Sequence, residues 1–204
     1  MKILVLDTET TGLNILKHEV IQIGFLNIEL EDDNTYKILS KEQINIKPKR
    51  LELAEKRALE INGFSKKKWR GSKEFQVHAD KIRQEIESAK YLLGQNLIFD
   101  LRFIKQEFEN AGLKPPKFPK YIDTKNMAAP LLKEGKLKSA SMDKMCEHFQ
   151  IKFEGEAHTA LTDCERTLGV WSKLVEQEGV KVEHFSFKKP FDPYKKKEKQ
   201  EKTD

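Results

Sequence analysis

The apolar run Ile3-Leu4-Val5-Leu6 passes without a break into Asp7-Thr8-Glu9-Thr10-Thr11-Gly12-Leu13. A buried strand therefore ends on two carboxylates. Alternate residues of a strand share a face, so Asp7 and Glu9 point one way and Thr8 the other. Two like charges held together repel and are costly to desolvate, and a fold that keeps them usually supplies a cation. The segment is thus a place where a metal site could be built. Taken alone it suits an ordinary polar turn equally well.

The rest of the chain limits what such a site can belong to. With 204 residues, 38% hydrophobic and 35% charged, the chain is long enough for one domain with a full core. No apolar run approaches the roughly 18 to 20 residues of a membrane span. The apolar stretch at residues 3–6 is too short for a signal peptide, which leads to the expectation of a cytoplasmic protein. Cys146 and Cys164 lack disulfide-framework and zinc-ligand spacing and read as small buried hydrophobes. Of the net charge of +5, more than half falls in residues 188–204, where seven Lys stand against four acids. That basic tail, with two prolines and almost no apolar residues, is expected to be disordered and to follow a domain spanning residues 1–187. It serves equally as a solubilising end or as an arm for nucleic acid or a partner. Residues 66–70 (Lys-Lys-Lys-Trp-Arg) and 114–120 set cations beside aromatic and proline residues, a pattern open to phosphate contact or to plain solvation.

Periodicity predicts strands over residues 2–6, 19–30 and 35–46, the last two forming an antiparallel meander around the turn at 31–34. A helix is predicted over 51–61, ending at Asn62-Gly63, and a second begins with Ser72 as cap and runs to about Lys90, with Phe75, Ala79, Ile82 and Ile86 on one apolar face. Short strands at 91–94 and 121–123 alternate with helices at 97–110, 124–132, 141–149 and 158–177. This order predicts an α/β sandwich around a central mixed five-stranded sheet, three antiparallel strands followed by short parallel ones, flanked by helices.

Three further positions fall at element junctions. Asn96 is a candidate N-cap, and Asp100 lies in the first turn of the helix that follows, where an acid also simply complements the helix dipole. His158 stands at the entry to the last helix, with Asp163 about a turn inside. Leu161, Leu168 and Trp171 predict that part of this helix packs on the sheet, which makes an acid beside them harder to dismiss as surface.

In order, Asp-x-Glu-Thr-Thr-Gly at 7–12, Asn-x-x-Phe-Asp at 96–100 and His-x-x-x-x-Asp at 158–163 resemble the DEDDh 3′ to 5′ exonucleases of the ribonuclease H-like superfamily, to which proofreading subunits of bacterial replicative polymerases and ribonuclease T belong. The resemblance covers residues 2–173. Val20-Ile21-Gln22-Ile23-Gly24 and Ile61-Asn62-Gly63-Phe64 add to it. It implies a ribonuclease H-like fold and two divalent ions, Mg²⁺ or Mn²⁺, about 4 Å apart. Under the resemblance Asp7 bridges both ions, Glu9 and Asp163 complete the ion that carries the nucleophilic water, Asp100 holds the other partly through water, and His158 takes the water's proton. Positions matching Thr10, Thr11, Gly12 and Leu13 line the seat of the 3′-terminal nucleotide, with Asn96 and Phe99 beside it. For Leu13 and Phe99, core packing is an equal alternative.

Thr10 stands where oligoribonuclease-like members carry Met, which points toward the proofreading or ribonuclease T type. Thr159 stands where many relatives have Arg or Asn. The implied activity is hydrolysis at single-stranded 3′ ends, releasing nucleoside 5′-monophosphates, in DNA proofreading or repair or in RNA 3′-end trimming, alone or beside a DNA polymerase. A non-catalytic nucleic-acid-binding or polymerase-docking module is the alternative of a different class.

Overall fold

The computed structural model describes residues 1–153, 155 and 158–178. The expected basic tail and the domain boundary before it lie outside these residues. Five strands form one sheet: β1 (Lys2–Thr10), β2 (Val20–Leu30), β3 (Tyr36–Asn45), β4 (Tyr91–Gly94) and β5 (Lys120–Asp123), in the order β3-β2-β1-β4-β5. β1, β2 and β3 are antiparallel neighbours, whereas β4 runs parallel to β1 and β5 parallel to β4. The mixed sheet agrees with the sequence reading. β1 lies at the centre, where the connections leave in opposite directions, the usual place for a ligand site in such sheets.

Alternation along β1 divides the core in two. Ile3 and Val5 join Leu26, Ile28, Leu93, Cys164, Leu168 and Trp171 on one face. Leu4 and Leu6 join Ile23, Phe25, Ile82, Ile86, Leu101, Ile104 and Phe108 on the other. The first face is covered by α6 (Met142–Phe149) and α7 (Ala160–Glu178), the second by α2 (Phe75–Ser88) and α3 (Ile98–Asn110). Burying each large apolar side chain contributes about 1.5–3 kcal/mol. Phe75, Ala79, Ile82 and Ile86 are the buried residues of α2, as their spacing predicts. Both cysteines are buried and free.

Several predicted helices are shorter or broken. The helix expected over 51–61 is a 3-10 turn at Leu51–Leu53 followed by α1 at Lys56–Ile61. Between them the Glu55 N–H donates to Thr11 O at 2.8 Å instead of to its own helix. The helix expected over 124–132 divides into α4 (Thr124–Met127) and α5 (Ala129–Lys133), with Pro130 in the first turn of α5, where a missing N–H does no harm. Ser72 does not cap α2: its hydroxyl donates to Trp69 O, and Glu74 holds the N-cap position. Among the described residues no helix is long and apolar enough to cross a membrane.

Candidate active site

β1 pairs with β2 along its whole length but with β4 only through Ile3, Leu4 and Val5. Beyond Val5 the two parallel strands part, and the β4-side edge of β1 is open. The Thr8 N–H on that edge finds Asp100: its amide and its hydroxyl both donate to Asp100 Oδ1, at 2.9 and 2.6 Å. Thr8 faces α3, the helix that carries Asp100. Asp7 and Glu9 face the opposite side, that of α7, which carries Asp163. Strand alternation thus recruits one acid from each covering helix to a single strand end.

The start of α7 is fixed by the sheet. The Ala160 N–H donates to Gln22 Oε1 at 2.7 Å and the Leu161 N–H to Gln43 Oε1 at 3.1 Å, so two glutamines from β2 and β3 satisfy donors that a helix N-terminus otherwise leaves bare. Gly24 gives the helix room, since a Cβ there would stand 2.4 Å from the Ala160 carbonyl oxygen. His158 lies just outside α7 with φ 63°, a left-handed conformation that costs a non-glycine residue roughly 1–2 kcal/mol and that collects at functional sites. Its Nδ1 is 3.9 Å from Asp163 Oδ2. Glu9, His158 and Asp163 offer ligand atoms that all lie within 4.8 Å of one another.

The electrostatics of this group are one-sided. Burial, then the charges of Asp100, Asp163 and Glu9, hold the Asp7 carboxyl well above the ordinary range, and Arg166 opposes them. Burial and the charges of Asp163 and Asp100 push Glu9 up to about 8. Asp100 is pushed up to about 7, again chiefly by burial, against the two bonds from Thr8. Among the described residues no hydrogen bond reaches the side-chain oxygens of Asp7 or Glu9. Acids gathered in this way fit a bound cation, and an oxygen-rich donor set suits Mg²⁺ or Mn²⁺.

Beside the acids, the 10–13 turn is tied down from several sides. Thr10 Oγ1 donates to Gly12 O at 2.8 Å, Asn62 Nδ2 donates to Thr10 O at 3.1 Å, and the Thr11 N–H donates to Glu19 O at 2.9 Å. Gly12 is required by close approach, since a Cβ would fall 2.4 Å from the His18 ring. Leu13 is not a core residue: it is 76% exposed. Phe99 is half-buried, its ring 4.7 Å from that of Phe103. Asn96 is exposed with φ 58°, and Leu97, not Asn96, is the N-cap of α3. The capping function passes to Asp123 at the end of β5, which accepts from the Asn96 and Leu97 N–H groups at 2.9 and 3.1 Å.

Gln22, Gln43 and Asp123 support the site through these bonds, a role the sequence motifs do not assign them. Asp123 had a signal in being a second acid at a strand end, and Gln22 in being polar within an apolar run. In the basic stretch at 66–70 the aromatic residue turns inward, Trp69 Nε1 donating to Ile21 O at 2.9 Å, while its four cationic neighbours are exposed.

Comparison with known proteins agrees with this architecture. Ribonuclease T of Photobacterium profundum is 28% identical over 184 residues, covering 85% of this chain and 81% of its own. The DNA polymerase III subunit epsilon of Buchnera aphidicola is 30% identical over 170 residues, covering 78% and 67%. The nuclease domain of 3'hExo, a DEDDh family member solved with rAMP, shares the fold with a TM-score of 0.67 at 17% identity, covering 87% of this chain and 92% of that one. The sequence profile of the RNase T exonuclease family matches residues 4–171, and the chain belongs to that family.

Proposed function

We propose that this nuclease is a metal-dependent 3′ to 5′ exonuclease that hydrolyses phosphodiester bonds at single-stranded 3′ ends and releases nucleoside 5′-monophosphates, in DNA proofreading or repair. The observation that supports it most is the meeting of Glu9, His158 and Asp163 within 4.8 Å beside half-buried Asp7 and buried Asp100. In this reading Asp7, Glu9, Asp100 and Asp163 would hold two divalent ions. When bound, such ions stabilise charge on the phosphate and lower the pKa of water. His158 accepts the proton of the attacking water, and its side chain, 45% exposed, can hand that proton to solvent. Thr10, Thr11 and Gly12 seat the terminal nucleotide with Asn96, while exposed Leu13 and half-buried Phe99 offer apolar edges to its base. Such contacts accept any base, as trimming requires.

The ribonuclease T relatives favour a second reading of the substrate, in which the same chemistry trims RNA 3′ ends. The epsilon relatives favour a DNA polymerase as partner. The activity and its substrate are tested by giving the purified chain 3′- and 5′-labelled single-stranded DNA, RNA, dinucleotides and mismatched primer ends with Mg²⁺, Mn²⁺ or EDTA. The expected result is mononucleotide release from the 3′ end that EDTA stops. Release of internal fragments, or turnover that survives EDTA, rejects the proposal.

A further inference from the structure

Arg166 stands on α7 one turn beyond Asp163, with its side chain only 2% exposed. A buried cation needs partners. Nη1 donates to Asp163 Oδ1 at 2.7 Å, and Nη2 donates to Asp143 Oδ1 on α6. The guanidinium carbon also lies 4.8 Å from the ring centroid of Phe153, in the segment that leads from α6 toward His158. One side chain thus touches an acid of the candidate site, the neighbouring helix and Phe153.

The terminal torsion of an aspartate is broad, so its rotamer does not fix which oxygen faces a neighbour. Arg166 occupies Oδ1 of Asp163, and Oδ2 is the oxygen 3.9 Å from His158 Nδ1. We propose that Arg166 is a positioning residue that, by holding one oxygen of Asp163, turns the other toward Glu9 and His158, and that through Asp143 it sets α6 against the same point, with Phe153 packed on the guanidinium. This rests on the nuclease reading of the site. The planar fork of arginine can hold two carboxylates at once, whereas the ammonium of lysine is a point charge on a flexible stem.

The test uses the full chain with Arg166→Gln, Arg166→Lys and Asp143→Asn. Mn²⁺ binding without nucleic acid is measured by calorimetry, kcat and KM are measured on a 3′-labelled oligonucleotide, and thermal melting reports the fold. Residues that orient metal ligands change affinity or activity by about 10–100-fold when replaced. Arg166→Gln is expected to weaken Mn²⁺ binding and lower kcat by a factor in that range, with KM within about twofold. Arg166→Lys recovers part of the loss. Wild-type Mn²⁺ affinity and kcat in Arg166→Gln, or a change confined to melting, overturn the proposal. Should Arg166→Gln fail to fold, Asp143→Asn decides. Its side chain is 69% exposed, so the fold tolerates the change. A lower kcat at unchanged melting temperature supports the proposal, and unchanged kcat and Mn²⁺ affinity overturn it. A wild-type chain that binds Mn²⁺ and cleaves beside unaffected variants refutes only this inference; a wild-type chain that does neither refutes the nuclease reading with it.

Discussion

Among the described residues, two groups of acids removed wholly or in part from water are held differently. Behind the 10–13 turn, Glu19 accepts from the Lys49 and Arg50 N–H groups, at 3.1 Å and 2.6 Å, with Arg50 Nε at 3.6 Å. Its neighbour Glu107 accepts from the Val20 N–H at 3.3 Å and is pushed up to about 7, chiefly by burial, while Arg50 and Lys49 pull it back. The second group is Asp7, Glu9, Asp100 and Asp163, where Arg166 is the nearby cation that lowers Asp7 and no described donor reaches Asp7 or Glu9. Burial alone therefore does not mark a site. What separates the groups is that backbone amides and an arginine satisfy the first throughout, whereas in the second Thr8 reaches only Asp100 and Arg166 only Asp163, and Asp7 and Glu9 are left with charge for something outside the chain to balance.

Substitutions can break this contrast. Asp7→Ala is expected to lower turnover of a 3′-labelled oligonucleotide by at least about 10³-fold, since in the proposed reading several kcal/mol of transition-state stabilisation depend on this carboxylate. Circular dichroism should show the variant folded; a folded Asp7→Ala enzyme with near-normal turnover would remove the acid group from the chemistry. His158→Ala should cost about 10²–10⁴-fold in rate. Its Mn²⁺ affinity measured by calorimetry should stay close to wild type, and a large loss there would make His158 a ligand instead of a base. Glu107→Gln should leave turnover within about threefold and stability within about 1 kcal/mol, with slightly higher stability at pH 8, where an ionised buried acid is penalised. A collapse of activity in Glu107→Gln would erase the distinction between the groups.

The smallest effect is one of slope. Glu9 binds its proton more tightly folded than unfolded, so its contribution is full below its ordinary value of 4.5 and is lost as pH rises to about 8. In the metal-free protein, denaturant titrations should show stability falling across that window more steeply for wild type than for Glu9→Gln. Mn²⁺ should restore the wild type near pH 8. Parallel curves for the two proteins would mean that Glu9 is not held as described.

Much of this was legible in the sequence because it is local. The apolar faces of β1 and α2, the meander and the three acidic motifs each follow from neighbours within a few residues. What escaped reading is satisfied across the fold. Asn96 looks like a cap, yet the acid that serves α3 is Asp123, 27 residues further on. His158 looks like a helix start, yet the donors of α7 are met by Gln22 and Gln43 from the far side of the chain, and the helix begins at Ala160. The break between Leu53 and Lys56 follows from the bond of Glu55 to Thr11, which no local propensity contains. Capping residues are easy to propose from adjacent sequence and are recruited here from other elements.

Gly24 lies where the two halves of the candidate active site meet. Its missing side chain is the clearance on which the first residue of α7 rests, since a Cβ would sit 2.4 Å from the Ala160 carbonyl oxygen. A methyl group there would press on the start of α7 directly beside Asp7, the register partner of Gly24 on β1. The distance from Asp7 and Glu9 on the strand to Asp163 on the helix would change with it. The spacing of the proposed catalytic group therefore depends on an absent side chain on a strand that bears none of its five residues.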